Sequence, residues 1–309
     1  MGCRFAIAPA LAVLLPALVG CSSHAGDRTS ANVPHDDAIT VGSFDFAENT
    51  LLAELYSQAL ESGGYRVHRA FDLGPREFVQ PALARGLVDF VPEYAGTALG
   101  FLTLGADSPR ANVDETHSSL ARVARSRHLT ALEPAPAQDA NTFVVSRAVA
   151  ARYKLHRLSD VARVASQLTF GGPPECPTRP QCLLGLRKTY GLKFKDVIAL
   201  DAGGPLTLEA LRNREVDVAL LFTTDPALAH GDFVQLVDDR RLQPAENVTP
   251  LVRSGVIGTS GPHFAEVVDA VSRRLTTEAL RELNAEVASG KSKAAAVAAR
   301  WLRAEVGAA

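Results

Sequence analysis

The sequence predicts an α/β fold, and three observations lead there. Apolar runs of strand length alternate with amphipathic stretches of helix length through most of the chain. One helix–strand unit recurs about 130 residues later. From Pro262 onward the pattern turns nearly all helical. The chain has 309 residues, 47% hydrophobic and 21% charged, enough for one large or two medium domains with real cores. A formal net charge of −2 carries no global basic signature for nucleic acid.

The elements follow in order. Residues 39–43 are apolar and β-branched and read as a strand. In the stretch that follows, Asp45 and Glu48 resemble a capping box, and Leu51, Leu52, Leu55, Tyr56, Ala59 and Leu60 fall on one helical face. Gly63-Gly64 ends that helix. Residues 65–71 read as a strand, 75–85 as a helix and 87–91 as a strand. Strands are expected near 129–132, 142–146 and 168–171, with a helix near 160–167. A helix over 180–190, a strand over 197–200, a helix over 206–214 and a strand over 216–222 follow. Such alternation implies mostly parallel sheets. Trp301, the single tryptophan, sits at helical spacing near Val297 and Val306 and is expected to pack in a core.

The recurring unit aligns Asp89 with Asp217. "ALARGLVDFVPEYAGT" then overlays "ALRNREVDVALLFTTD", so that Tyr94 falls on Phe222 and Thr97 on Asp225. Ligands of parallel α/β sheets sit at the carboxyl ends of strands. Two such units suggest two lobes, each offering an aromatic to a shared cleft. Coincidence is the competing reading, because helix–turn–strand units are common.

The N-terminus opens with a short basic start at Met1–Arg4, followed by an apolar run over 5–19. That run has the length of a signal core and is short for a membrane span. It ends in Leu18-Val19-Gly20-Cys21, like the site at which a lipoprotein signal is removed and the new terminal cysteine acylated. The expectation is a signal peptide over 1–20, lipid on Cys21 and a polar tether over 21–37. Ordinary cleavage beside a chance cysteine is the alternative, and Gly2 as a myristoylation site fits less well. Cys3 would leave with the signal. Cys176 and Cys182 remain, in "PPECPTRPQC". In an exported chain a small disulfide loop is the natural assignment. A metal pair competes, but no His or further Cys lies near enough in sequence to complete a zinc set.

Signs of catalysis are missing. The sequence holds no Gly-x-Ser-x-Gly elbow, no Ser-x-x-Lys and no His-Glu-x-x-His. "SGKSK" at 289–293 has Ala285 where a phosphate loop needs glycine, and helical sequence precedes it. Gly171-Gly172 and Gly203-Gly204 read as turns, and Asp238-Asp239 as solvated charge. What remains near strand ends are aromatic and neutral polar residues: Phe44, Phe46, Tyr94, Phe143 and Phe222, with Thr97, Asn141 and Thr223. Aromatic faces attract weakly hydrated cations. Each phenylalanine could equally be plain core.

Five segments occur in order: "ITVGSFDFAEN", "VDFVPEYAGTA", "ANTFVVS", "FGGPPECPTRPQCLLGLRKTYGLKF" and "VDVALLFTTDP". Together they resemble the substrate-binding lipoproteins of glycine betaine/choline-type osmoprotectant ABC transporters. The similarity covers about residues 39–305, and the cysteine loop is similar to that of the actinobacterial branch. The resemblance implies a two-lobed venus-flytrap fold of type II with two crossover segments. Lobe one would be 38–138 plus 247–309 and lobe two 139–246, with crossings near 139–142 and 244–249. It also implies an aromatic cage for a trimethylammonium group. Tyr94, Phe143 and Phe222 would supply cage aromatics. Thr97, Asn141, Arg179 and Asp225 would set polarity and lobe closure, and Arg179 would meet a ligand carboxylate. Residues 43–49, with Phe44, Asp45 and Phe46, would form the first-strand loop that lines the site, and Thr223 would follow the last aromatic.

There are departures. Phe44 stands where many relatives carry Lys, and Ala245 and Glu246 stand where a last cage aromatic is expected, leaving Asn247 the polar role there. The implied function is an extracytoplasmic solute-binding protein of an importer. It would capture glycine betaine, choline or carnitine and pass it to a permease with a separate ATPase. No cofactor, metal or reaction is expected, and a lipid-anchored monomer is. A bulkier or aromatic ligand, a sensory role and an extracytoplasmic enzyme on the same scaffold are the alternatives.

Overall fold

A computed structural model describes residues 38–107, 109–229 and 231–307. The expected signal, Cys21 and tether lie outside the described residues. Strands β1 (Ile39–Gly42), β2 (Val67–Ala70), β3 (Phe90–Tyr94) and β4 (Leu129–Ala131) alternate with helices α1 (Ala47–Ser62), α2 (Arg76–Arg85), α3 (Ala95–Leu102) and α4 (Val113–Arg125). Strand β5 (Asn141–Ser146) leads into α5 (Arg147–Tyr153) and α6 (Leu158–Val161). Then come β6 (Thr169–Gly172), α7 (Leu183–Gly185) running into a π-helical turn at Leu186–Tyr190, β7 (Asp196–Ala199), α8 (Pro205–Asn213), β8 (Val218–Phe222) and β9 (Phe233–Leu236). The chain closes with β10 (Val248–Arg253), α9 (Ser254–Ser260), α10 (Pro262–Arg274), α11 (Thr277–Ala288) and α12 (Ala294–Glu305).

The strands form two sheets of the same plan, β2-β1-β3-β10-β4 and β7-β6-β8-β5-β9. The sheets are mixed, not mostly parallel as the alternation predicts. In each, the strand that follows a crossing runs against its neighbours: β10 is antiparallel to β3 and β4, and β5 to β8 and β9. Each sheet has its own apolar core. One draws on residues 39–137 and 248–302, with Trp301 packed at its margin; the others draw on 143–242. These are two lobes.

Strand β3 begins three residues later than the sequence predicts and runs through Pro92. Proline lacks the N–H that a central strand normally needs. Pro92 faces Pro250 of β10. Ala95 N–H donates to Asn247 C=O, and that bond sets the alternation of rungs. The two prolines thereby share a rung on which neither donates to the other. The Pro92 carbonyl is met instead by Asn49 Nδ2 at 2.8 Å. The helix expected near 160–167 is also broken into α6 and a single 3₁₀ turn at Ala165–Gln167.

The chain crosses between lobes twice, and the two crossings are bonded to each other. Gln138 and Asn247 form an antiparallel bridge, and Asp139 N–H donates to Glu246 C=O at 3.0 Å. Val248 N–H donates to Ala137 C=O. The connection is therefore a two-stranded ribbon.

Candidate functional site

The site starts with the aligned units. The helices before β3 and β8 both stop in a left-handed residue, Gly86 and Arg214, whose N–H meets the carbonyls four and three residues back. Asp89 and Asp217 immediately precede their strands, and each strand ends five residues beyond its aspartate, at Tyr94 and Phe222. Both aromatics line one cleft of about 1140 Å³ between the lobes. The placement agrees with ligands sitting at strand carboxyl ends.

One wall is aromatic. Phe46, at the start of α1, stacks on Tyr94 with ring centroids 6.1 Å apart. Phe44 lies behind Phe46 at 5.9 Å, buried, with the Arg76 guanidinium 4.8 Å from its ring. Phe222 faces the cleft from the second lobe and Phe101 from α3.

The floor is acidic. Tyr94 Oη donates to Glu48 Oε1 at 2.7 Å, and Asn284 Nδ2 to Glu48 Oε2 at 2.5 Å. Asn284 also reaches the Thr224 carbonyl of the other lobe, and Thr224 Oγ1 donates to Asp139 Oδ1 at 2.9 Å. Glu246 accepts from both Thr97 N–H and Thr97 Oγ1 at 2.9 Å. Gly96 is what allows that approach. A Cβ there would stand 2.8 Å from Ala245 O and Glu246 Oε1.

Burial governs the charges. It pushes the Glu48 carboxyl up against the pull of its hydrogen bonds, and pushes Asp139 well up, with Glu48 adding repulsion. Burial also lifts Glu246 to about 7, opposed by the Thr97 bonds and by Arg76. The Tyr94 hydroxyl goes well up through burial first and Glu48 second. Asp225 is raised by burial, against the Ala227 N–H and the charges of Arg281 and Arg212.

The remaining polar lining comes from β5 and the cysteine loop. Asn141 opens β5 at the cleft edge. Cys176 and Cys182 are joined as a disulfide, Cα–Cα 5.2 Å, and the loop between them presents Arg179 and Gln181. The Gln181 carbonyl accepts from Gln243 Nε2 at 3.0 Å. Gly185 lets the chain return beside this loop, since a Cβ there would overlap the Pro180 carbonyl. Among the described residues no cluster of His, Cys, Asp and Glu is arranged to hold a metal.

Of the residues named from sequence, Phe46, Tyr94, Thr97, Asn141, Arg179, Phe222 and Asp225 line the cleft. The structure places five elsewhere. Phe143 is buried in the second lobe beside Phe170, because two residues along β5 from Asn141 carries it about 6–7 Å into the sheet. Phe44 backs the aromatic wall and is shielded from the cleft. Asp45 is exposed outside the lining. Thr223 Oγ1 receives Ala140 N–H and donates to the Gln138 carbonyl, fastening a crossing. Asn247 holds the carbonyl of Ala135. Sequence reasoning missed Glu48, Asp139, Thr224, Asn284 and Glu246. Glu48 passed for a helix cap and Glu246 for a missing aromatic. Asn284 comes from a helix near the chain's end and carried no local signal.

Residues 37–304 match the OpuAC family, described as the substrate-binding domain of ABC-type glycine betaine transport systems. The chain is 29% identical over 274 residues to the glycine betaine-binding protein YehZ of Escherichia coli K12, covering 86% of this chain and 90% of YehZ. The solved apo structure of YehZ superposes with a TM-score of 0.75, covering 86% of this chain and 98% of that one. A glycine-betaine-binding protein of Pseudomonas aeruginosa PAO1 is 27% identical over 285 residues, 89% of this chain and 90% of that protein. A crystal structure described as that of a glycine betaine/carnitine/choline ABC transporter reaches a TM-score of 0.79 at 20% identity, covering 86% of this chain and 98% of that one, which shows the shared fold.

Proposed function

The chain belongs to the OpuAC family of substrate-binding domains of ABC-type transport systems, and from that premise we propose that its cleft captures a quaternary ammonium osmolyte. The family is one of binding proteins, not of enzymes, and its members serve importers on the outer side of the membrane. The observation that carries the ligand reading is the aromatic wall of Phe46 and Tyr94, with Phe222 opposite, above an acidic floor. Ring faces attract a poorly hydrated cation, and the attraction grows when closure removes water. A quaternary ammonium donates no hydrogen bond, so apolar faces suit it.

In this reading lobe one is 38–138 plus 247–309 and lobe two 139–246. Closure about the crossing ribbon brings Phe222 and Asp225 toward Tyr94 and Thr97. Arg179 is available to a ligand carboxylate or hydroxyl. The loaded protein then docks as a monomer on a permease driven by a separate ATPase. Among the described residues no helix is long and apolar enough to cross a membrane. Anchoring is proposed through lipid on Cys21, which Cys21→Ala would abolish, moving the protein from the membrane fraction to the soluble one.

The test is calorimetric titration of residues 38–309 with glycine betaine, choline and carnitine in turn. Micromolar binding of one of them is expected. No heat with all three, from protein shown to be folded, would overturn the osmolyte reading.

A further inference from the structure

Three carboxylates meet at the cleft from three separate parts of the chain. Glu48 lies in the first turn of α1, Asp139 on the first crossing and Glu246 on the second. Glu48 and Glu246 are buried, each at most 9% exposed. Their partners are neutral donors: Tyr94 Oη and Asn284 Nδ2 on Glu48, Thr224 Oγ1 on Asp139, and Thr97 on Glu246. Among the described residues, none of the three has a cation within ion-pair distance.

The positive groups nearby are committed or remote. Arg76 grips Glu93 with Nε at 3.0 Å and Nη2 at 2.9 Å, and touches the cluster only through its longer-range field on Glu246. Arg281 and Arg212 act on Asp225. Arg179 is exposed on the disulfide loop, where water weakens its field. Asp139 itself faces Glu48, Glu246 and Asp225. The cleft lining carries more carboxylates than cations.

We propose that this cleft selects a monocation, a quaternary ammonium compound without a carboxylate, over a zwitterion, and that capture drives protons off the Glu48–Asp139–Glu246 group. The inference rests on the quaternary ammonium reading above and sharpens it. A buried charge is costly unless it is paired. The empty cleft therefore keeps part of the group protonated, in line with the upward shifts of all three. An arriving cation pairs with the ionised form, and each displaced proton leaves to the buffer. A zwitterion brings its own carboxylate into the same acidic space, where only the exposed Arg179 and the field of Arg76, already paired with Glu93, oppose that repulsion. With Glu246 at about 7, that residue alone would release about half a proton per ligand at pH 7.

The experiment compares choline with glycine betaine and carnitine at pH 8 and pH 6, and repeats the choline titration at about pH 7.5 in Tris and in phosphate, which both buffer there and differ in ionisation heat. Expected are choline at least tenfold tighter than either zwitterion at pH 8, weaker choline binding at pH 6, and heats that differ between buffers by proton release. Glu246→Gln should narrow the choline preference and reduce the release. Glycine betaine or carnitine as tight as choline at pH 8, or identical heats in both buffers, overturns the inference and leaves the osmolyte reading standing. Binding of none of the three overturns that reading instead. The wild-type comparison decides even where the variant fails to fold.

Discussion

Asp89 and Asp217 make the same pair of bonds in the two sheets. Thr40 N–H donates to Asp89 Oδ2 at 3.0 Å while Asp89 N–H donates to Thr40 C=O at 2.7 Å. Thr169 N–H donates to Asp217 Oδ2 at 2.9 Å while Asp217 N–H donates to Thr169 C=O at 2.9 Å. Each aspartate ties the start of the strand it leads into to that strand's parallel neighbour, β3 to β1 and β8 to β6. That clamp fixes the register in which Tyr94 and Phe222 arrive at the cleft.

Asp217→Ala should therefore cost stability and not only charge. It strands the partly buried Thr169 N–H, and about 1–2 kcal/mol is expected. Asp89→Ala should cost more, because Asp89 Oδ1 also pairs with Arg253 Nη1 at 2.9 Å. Urea midpoints with an unchanged slope would show it; equal midpoints for wild type and Asp217→Ala would remove the clamp from the account.

Tyr94 has two separable roles. Tyr94→Ala removes ring and hydroxyl and should weaken cation binding by about 1–2 kcal/mol. Tyr94→Phe keeps the ring and takes one donor from Glu48, so a smaller loss is expected, with binding shifted to higher pH as the Glu48 carboxyl rises further. Titration at several pH values separates the two.

Gly96→Ala places a methyl group where the second crossing passes. The crossing must shift, and a loss of about 1–3 kcal/mol in stability is expected, with affinity falling at least tenfold. Melting and titration of one preparation check both. Full affinity would show that the crossing relaxes without disturbing Glu246.

The empty protein should be most stable in mild acid. Glu246 titrates near 4.5 unfolded and at about 7 folded. Between these values the folded state holds the proton that the unfolded state has lost. Stability therefore falls as pH rises through that window, by up to about 3 kcal/mol from this group. Glu48 and Asp139 act in the same direction. Glu246→Gln should flatten the profile of melting temperature between pH 5 and pH 8, and an unchanged profile would assign the pH dependence to other groups.

The paired substitution Cys176→Ser with Cys182→Ser should lower stability by about 2–3 kcal/mol for so short a loop. Affinity should fall too, because Arg179 and Gln181 lose their fixed presentation. A melt and a titration distinguish the two effects, and unaltered affinity would take the loop out of the site.

The alternation of elements and the echo could be read from the residues themselves because they rest on periodicity and on residues close together in the chain, while the two lobes and the aromatic site came mainly from the family resemblance, with the echo in support. Asp89 and Tyr94 flank one strand's length, and their spacing repeats at Asp217 and Phe222. The acidic floor could not be read that way. Glu48, Asp139, Glu246 and Asn284 are far apart in sequence, and each has an ordinary local explanation. Phe143 misled for a related reason. Its neighbour Asn141 faces the cleft, and only the depth of β5 in the sheet shows that two residues further on is already core. The limits of β3 were misjudged because Pro92 reads as the end of a strand until its opposite number, Pro250, is known.

The sheet order also governs when the molecule can form. Strand β4 bonds only to β10, and β10 fills the gap between β3 and β4. A chain emerging N-terminus first, whether from ribosome or membrane, thus carries β1 to β4 for more than a hundred residues before the strand that completes their sheet emerges. The second lobe, contiguous from 141 to 236, can assemble first. The first lobe must then wait for the last fifth of the chain, and its unfinished edge is the surface most in need of protection until then.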